Sequence, residues 1–386
     1  MAIYKNVKRQ DAEIGVIKGG SFMYKDSLFV MYGNEPRNMV QKILDHMNII
    51  DDIPDKDSLI GIKPNLVVAK PAELGATTSP ELVEGVIEYL KSNGFRNIVI
   101  LEGAWVGDKT SLAFNVCGYE EISKKYNIPL IDLQKDKYRD YQVEDVNISV
   151  CNKAMDVDYL INMPVLKGHC QTNITCALKN MKGCIPNKEK RRFHTMGLHK
   201  PIAYLNKILK QDLIVVDGII GDLNFEEGGN PVQMNRVIVG KDPVLVDSYV
   251  AQLLGYDTDE IPYIGMAESI GVGSSQTLDH NIEELNKDTA PMTIPKTRLV
   301  EELARHVEED MACSACYGSL IHALDRLKDR GYLYNIDQKI HIGQGYKNKE
   351  GKGLGIGICT KGFEKSLLGC PPKAKDIVDF LMRYYI

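Results

Sequence analysis

From Ser58 to Tyr256 the chain alternates short, β-branched apolar runs with segments whose apolar residues recur at helical spacing. That alternation limits the fold more than any single motif does. Strands separated by helices pair in parallel, and the helices must then cover the faces of the sheet. "SLIGIKPNLVV" (Ser58–Val68) reads as a strand entering a Pro-Asn turn. "TTSPELVEGVIEYLKSNGF" follows, with Ser79 as N-cap, Pro80 at the first helical position, and Leu82, Val83, Val86, Ile87 and Leu90 on one face. "NIVIL" and "IPLIDL" are further strands, with the helix "GYEEISKKYN" between them. "DYLINMPVLKGH" is a strand and "TNITCALKNMKG" a helix. "PIAYLNKILK" is a helix, "DLIVVDGIIG" and "NRVIVG" are strands, and "DPVLVDSYVAQLLGY" is a helix capped by Asp242. The expected fold class is α/β, a three-layer domain with a mostly parallel sheet.

The polar stretch Leu278–Thr297, with two prolines, breaks this rhythm. We place a domain boundary there, giving an α/β domain over residues 1–290 and a smaller C-terminal α/β domain over 291–386. With 386 residues, 44% of them hydrophobic, both have material for a core. No repeat and no low-complexity tract is visible.

The smaller domain holds Cys313, Cys316, Cys359 and Cys370. The first two form a Cys-x-x-Cys pair at the start of an amphipathic helix, "ACSACYGSLIHALDRL". Strand patterns "KIHIGQG" and "GLGIGIC" follow, and Cys370 precedes Pro371 and a second helix. Every one of these cysteines thus falls at a strand end or a helix start. Helix amides favour thiolate over thiol and can donate to sulfur. Gly353, Gly355 and Gly357 let backbone approach a bulky group. A redox disulfide would use only the first pair. A zinc site would normally show two close pairs. A four-cysteine, four-iron cluster uses all four and leads, with structural zinc, a disulfide and four unrelated thiols as the alternatives. Nine cysteines in all, an odd count, argue against a disulfide framework. Cys176 fits the apolar stripe of its own segment and reads as core.

The formal net charge of −5 gives no basic field for nucleic acid. The mixed, charged Met1–Glu13 does not resemble a signal peptide, and no apolar run approaches the roughly 20 residues that cross a bilayer. A soluble, cytoplasmic protein is expected, with no nucleic-acid or membrane partner and its oligomeric state open. The one basic stretch, "NKEKRRFHTMGLHK" (Asn187–Lys200), reads as a mobile or solvated loop over a ligand, with Arg191 or Arg192 available to an anion.

"IKPNLV" (Ile62–Val67), "NMPVLKGHCQTNITCALKNMKGCIP" (Asn162–Pro186), "VVDGIIG" (Val215–Gly221) and "GKDPVLVDSYVAQLLGY" (Gly240–Tyr256) together resemble the domain-of-unknown-function 362 family. The likeness spans residues about 60 to 270. The family is named for a domain often found in iron–sulfur proteins, so the resemblance implies the α/β fold and an associated cluster rather than a reaction. Many members carry ferredoxin-type cysteine repeats. This chain has none, and its late cysteines are similar to a sparser tail that some relatives carry.

In open α/β sheets ligands bind beyond the carboxyl ends of the strands. Lys63, Asn65, Glu102, Lys167 and Asp217 end strands, and Gly168 permits a turn into His169 and Thr172, the latter as a helix cap. These residues are expected to line one crevice for an anionic small molecule. Lys63 and Lys167 would supply charge, Asn65 and Thr172 would orient the ligand, and His169 with Lys167 would carry acid–base chemistry. The bland alternative has Asn65 as a turn former and Lys179 and Lys182 as a solvated helix face. His169, Cys170, Cys176, Cys184, His194 and His199 match no compact ligand pattern. No dinucleotide fingerprint, phosphate loop or nucleophile elbow occurs.

The leading functional expectation is an iron–sulfur redox enzyme of anaerobic metabolism with one 4Fe-4S cluster. It would exchange electrons with an external donor such as ferredoxin and act on an anionic small molecule. The alternatives are a non-catalytic iron–sulfur sensor or metal carrier, and a structural-zinc protein.

Overall fold

Leu213 and Val215 enter one hydrophobic core, while Ile214 and Val216 enter another. That two-residue alternation marks a strand buried on both faces, and it repeats across the sheet: Ile60, Ile62, Ile98 and Ile100 join the first core, Leu101 and Leu160 the second. A computed structural model describes residues 26–276, 281–289 and 299–385. The expected boundary after residue 290 and the reading of Met1–Glu13 lie outside the described residues.

The strands run, in chain order, β1 (Leu28–Tyr32), β2 (Ile60–Pro64), β3 (Ile98–Glu102), β4 (Leu130–Asp132), the hairpin β5 (Tyr138–Val143) and β6 (Val146–Cys151), and β7 (Tyr159–Met163). A second hairpin, β8 (Lys167–His169) and β9 (Asn173–Thr175), precedes β10 (Leu213–Asp222), β11 (Pro231–Gly240) and β12 (Ile282–Glu284). The described residues form an eight-stranded sheet of order β12-β1-β11-β10-β7-β2-β3-β4. Neighbours from β10 to β4 pair in parallel, and β11 alone runs against the rest. Helices Pro36–Met47 and Pro80–Ser92 cover one face. His199–Ile208, Pro243–Leu253 and Pro262–Ser269 cover the other. The three-layer α/β expectation describes this architecture. Among the described residues no helix is long and apolar enough to cross a membrane.

Asp242 caps its helix as expected, accepting from the amides of Val244 (2.8 Å) and Leu245 (3.1 Å). Ser79 makes no side-chain cap. Its amide donates instead to the Asp217 carboxylate (2.7 Å), so a strand-end acid takes up the helix start.

Two local expectations are corrected. The helix expected from Thr172 begins only at Ala177 and lasts to Asn180, followed by a 3₁₀ turn, Met181–Cys184. Thr172 does not cap it: its hydroxyl donates to the Ile174 carbonyl (3.1 Å), Asn173 is left-handed (φ 64°), and β8 and β9 pair as a hairpin. Gly168 does not make the turn. It sits within β8, where an added Cβ would lie 2.1 Å from the Leu223 carbonyl oxygen. The basic stretch is no loop either. It forms the helix Asn187–Thr195, because Phe193 is buried and the Lys190 ammonium is held by the carbonyls of Gly103 and Ala104 (2.8 Å each).

A smaller sheet follows: β13 (Val307–Glu309), β14 (Ile340–Ile342), β15 (Gly351–Ile356) and β16 (Phe363–Leu367), paired in that order and all parallel. Helices Ser314–Asp329 and Ala374–Tyr385 share its core. Two features tie it to the large sheet. Phe225 enters the smaller core and stacks on His322 (3.9 Å between centroids). Gln171 donates to Glu309 (2.7 Å) and to the Ala312 carbonyl (3.1 Å), and accepts from the Ser314 hydroxyl (2.8 Å).

Candidate functional site

The four strands of the smaller sheet point the same way, so their carboxyl ends share one edge. The late cysteines all leave that edge. Cys313 is the N-cap of helix Ser314–Asp329 and follows β13, and Cys316 lies in that helix's first turn. Cys359 sits in the 3₁₀ turn Ile358–Thr360 after β15, and Cys370 follows β16. All four line one cavity of about 90 Å³, together with Arg191 and Lys347. Gly357, left-handed at φ 93°, lets the chain turn along its wall.

The thiols act on one another. Burial pushes the Cys313 thiol up, and Cys359 and Cys370 push it further, while Arg191 and Lys182 pull it down. Cys316 is raised by burial and by Cys313, Cys370 and Cys359. Cys359 is raised by burial and lowered by Lys347. Four thiols in mutual reach, beside two cations and a helix N-terminus, suit a group that takes thiolate ligands and brings positive charge of its own. A single zinc ion, with each sulfur about 2.3 Å away, would draw the sulfurs around a point. Among the described residues no three or more His, Cys, Asp or Glu side chains converge in that way.

A second cavity, of about 70 Å³, lies between the two sheets. Lys63, Asn65 and Glu102 line it. The Lys63 ammonium is fully buried and ion-paired with Glu102 (2.9 Å), which also accepts from the amides of Leu66 (2.8 Å) and Gly103 (2.7 Å). Gly183 crosses directly above this pair, and a Cβ there would meet Glu102 Oε1 at 2.2 Å.

Lys167, His169, Thr172 and Asp217 do not line this chamber. Lys167 spends its three donors on Asn65 (3.2 Å), the Glu226 carbonyl (2.8 Å) and the Ala76 carbonyl, and burial lowers it to about 7. His169 is held neutral, burial lowering it to about 4. Its Nδ1 accepts from the amides of Gln171 (3.0 Å) and Thr172 (3.1 Å), so Nε2 carries the proton and donates to Glu226 (3.0 Å). Neither ring nitrogen is left for a ligand, which leaves the expected acid–base role without an atom to perform it. Asp217, pushed up to about 6 by burial, accepts from Ser79 and Ile219.

Sequence reasoning missed Lys179, Lys182, Lys190, His194 and Glu226, all of which line the chamber. Lys179 is buried and ion-paired with Glu226, not solvated. Burial alone would raise Glu226, but Lys179 and His169 outweigh it and hold the carboxyl well below its usual range. The pair Lys179 and Lys182, one turn apart, was the available signal. A helix face reads as solvated until something is known to pack on it. Of the residues that match no compact ligand pattern, Cys176 is core, as its spacing suggests, and His199 stacks on Tyr263.

A family model described as "Domain of unknown function (DUF362)" matches residues 60–252. The match includes Lys63, Glu102, Lys182 and Glu226 and ends before the four late cysteines. The chain is 26% identical over 247 residues to the thylakoid-associated protein sll1697 of Synechocystis sp., covering 62% of this chain and 74% of that protein. The lactate racemase apoprotein of Thermoanaerobacterium thermosaccharolyticum overlays with a TM-score of 0.41 at 11% identity, over 60% of this chain and 57% of that one. The chain therefore spans less than two thirds of that neighbour, and so loose an overlay carries no comparison of sites.

Proposed function

The chain belongs to the DUF362 family, and from that premise we propose that it is a redox protein with one four-iron, four-sulfur cluster on Cys313, Cys316, Cys359 and Cys370. In this reading it acts in the cytoplasm on a small anionic molecule held between its two sheets. One observation carries it: four cysteines distant in sequence border one cavity at a single sheet edge. All four late cysteines find a place in a four-iron cluster, whereas zinc ligands normally come as two close pairs. Such a cluster, when bound, supplies one-electron transfer.

The chain's own residues would do the rest. The first turn of helix Ser314–Asp329, Arg191 and Lys347 offset thiolate charge. Cys370 is exposed, so the cavity is open to an external electron donor such as a ferredoxin. The test is purification without air, followed by iron, zinc and acid-labile sulfide determination and a visible spectrum. Iron and sulfide in near-equal amounts, with broad visible absorbance, are expected. Colourless protein holding zinc or no metal would overturn the proposal.

A further inference from the structure

We propose that the chamber between the sheets seats a small oxyanion, a phosphate or a short carboxylic acid, whose charge is taken by Lys182 and by the first turn of helix Ser314–Asp329. This deepens the anion-binding part of the reading above and stands apart from the cluster.

Charge is the first argument. Four lysines and two carboxylates line the chamber. Lys63 is matched by Glu102 and Lys179 by Glu226, and Lys190 is satisfied by two carbonyls. Among the described residues the Lys182 ammonium has neither a hydrogen bond nor an ion pair, although it borders the chamber. Lys182 is half-buried, and an anion in the chamber would give its ammonium a counter-charge away from bulk water.

Geometry is the second. Ser314 and Ala315 form part of the wall. They open a 16-residue helix, and amides of a first turn have no intrahelical acceptor. His194, on the same wall, has Nδ1 buried with no hydrogen-bond partner. The chamber therefore offers a cation, free amides and a ring nitrogen from both sheets' structures, and no uncompensated acid.

Size is the third. A volume of about 70 Å³ takes roughly five to seven water-sized spheres, the bulk of a phosphate or an acid of two to four carbons. Cys313 lines this chamber and the thiol cavity alike, so the anion would sit against the residue that divides the two.

The experiment is calorimetric titration of the full chain, purified without air, with inorganic phosphate and separately with oxalate, chloride serving as control. Saturable binding of one anion is expected, and the stronger of the two probes names the class. Lys182→Met should weaken it by about tenfold or more, the loss of one charge-assisted contact, while Lys182→Arg retains it. Because Lys182 makes no internal bond, the Met variant should keep its unfolding midpoint. Wild-type protein that binds neither anion, or a Met variant that binds as wild type, overturns the seat. Iron content read on the same samples separates the readings. Iron-loaded protein without anion binding sinks the seat alone, and iron-free protein that binds through Lys182 sinks the cluster alone.

Discussion

Lys182 and Cys313 line the same chamber, although one leaves the large sheet's crossover and the other begins a helix of the small sheet. Cys313 also borders the four-thiol cavity. The two candidate sites therefore share a wall, and changes on either side are readable separately.

Each of Cys313→Ser, Cys316→Ser, Cys359→Ser and Cys370→Ser is expected to lower bound iron by half or more. Cys176→Ser, fully buried in the core of the large sheet, should leave the iron ratio unchanged even where it lowers stability. Iron per chain in air-free preparations decides this, and a Cys176 effect equal to the other four would count against the ligand set.

Lys63 and Glu102 are a buried pair. Glu102→Leu leaves an unmatched ammonium and is expected to cost about 3–5 kcal/mol in denaturant unfolding. The double change Lys63→Met with Glu102→Leu should recover much of that. A double variant no better than the single would show that the pair matters through its other bonds to Leu66 and Gly103.

Helix capping differs between two similar-looking starts. Asp242→Ala should cost about 1–2 kcal/mol, because its carboxylate accepts from two first-turn amides and from Ser274. Ser79→Ala should cost less than about 0.5 kcal/mol, because its hydroxyl caps nothing. Unfolding midpoints at matched conditions compare the two.

Stability should rise between about pH 7.5 and 8. Lys167 and Lys182 are lowered to about 7 and Lys190 to about 8, chiefly by burial, so in this window the unfolded chain binds more protons than the folded one. The penalty for holding these amines charged is fully present below those values and is relieved as pH rises through them. Asp247 and Glu227, raised to about 7 by burial, act oppositely but have largely titrated by then. Buried thiols such as Cys151 and Cys184, raised to about 12, oppose the rise as unfolded cysteines ionise, and end it above about pH 8. A net uptake of about one proton on unfolding gives roughly 1.4 kcal/mol per pH unit. Urea unfolding in phosphate-free buffer measures it, and Lys167→Met should flatten the slope.

Local rules read most of the fold. The Asp242-Pro243 start, the β10 run and the strand patterns of β14 and β15 are decided by residues within one turn or one strand, so spacing alone reveals them. The segment after Thr172 was misread because β-branched Ile174 and Thr175 and a left-handed Asn173 outweigh a helical pattern only a few residues long. Asn187–Thr195 was misread because its charge suggests solvent, while Phe193 and Lys190 in fact point into the protein.

The sequence by itself determined the alternating α/β architecture and the placement of Cys313, Cys316, Cys359 and Cys370 at strand ends and a helix start, because periodicity and capping act over a few residues. Only the tertiary structure decided which charges are left without a partner. Lys63, Lys167 and Lys182 look alike in the chain, yet among the described residues the first finds Glu102, the second finds three oxygens, and the third finds none. Whether a cation is neutralised depends on groups brought from other strands, and no local pattern carries that information.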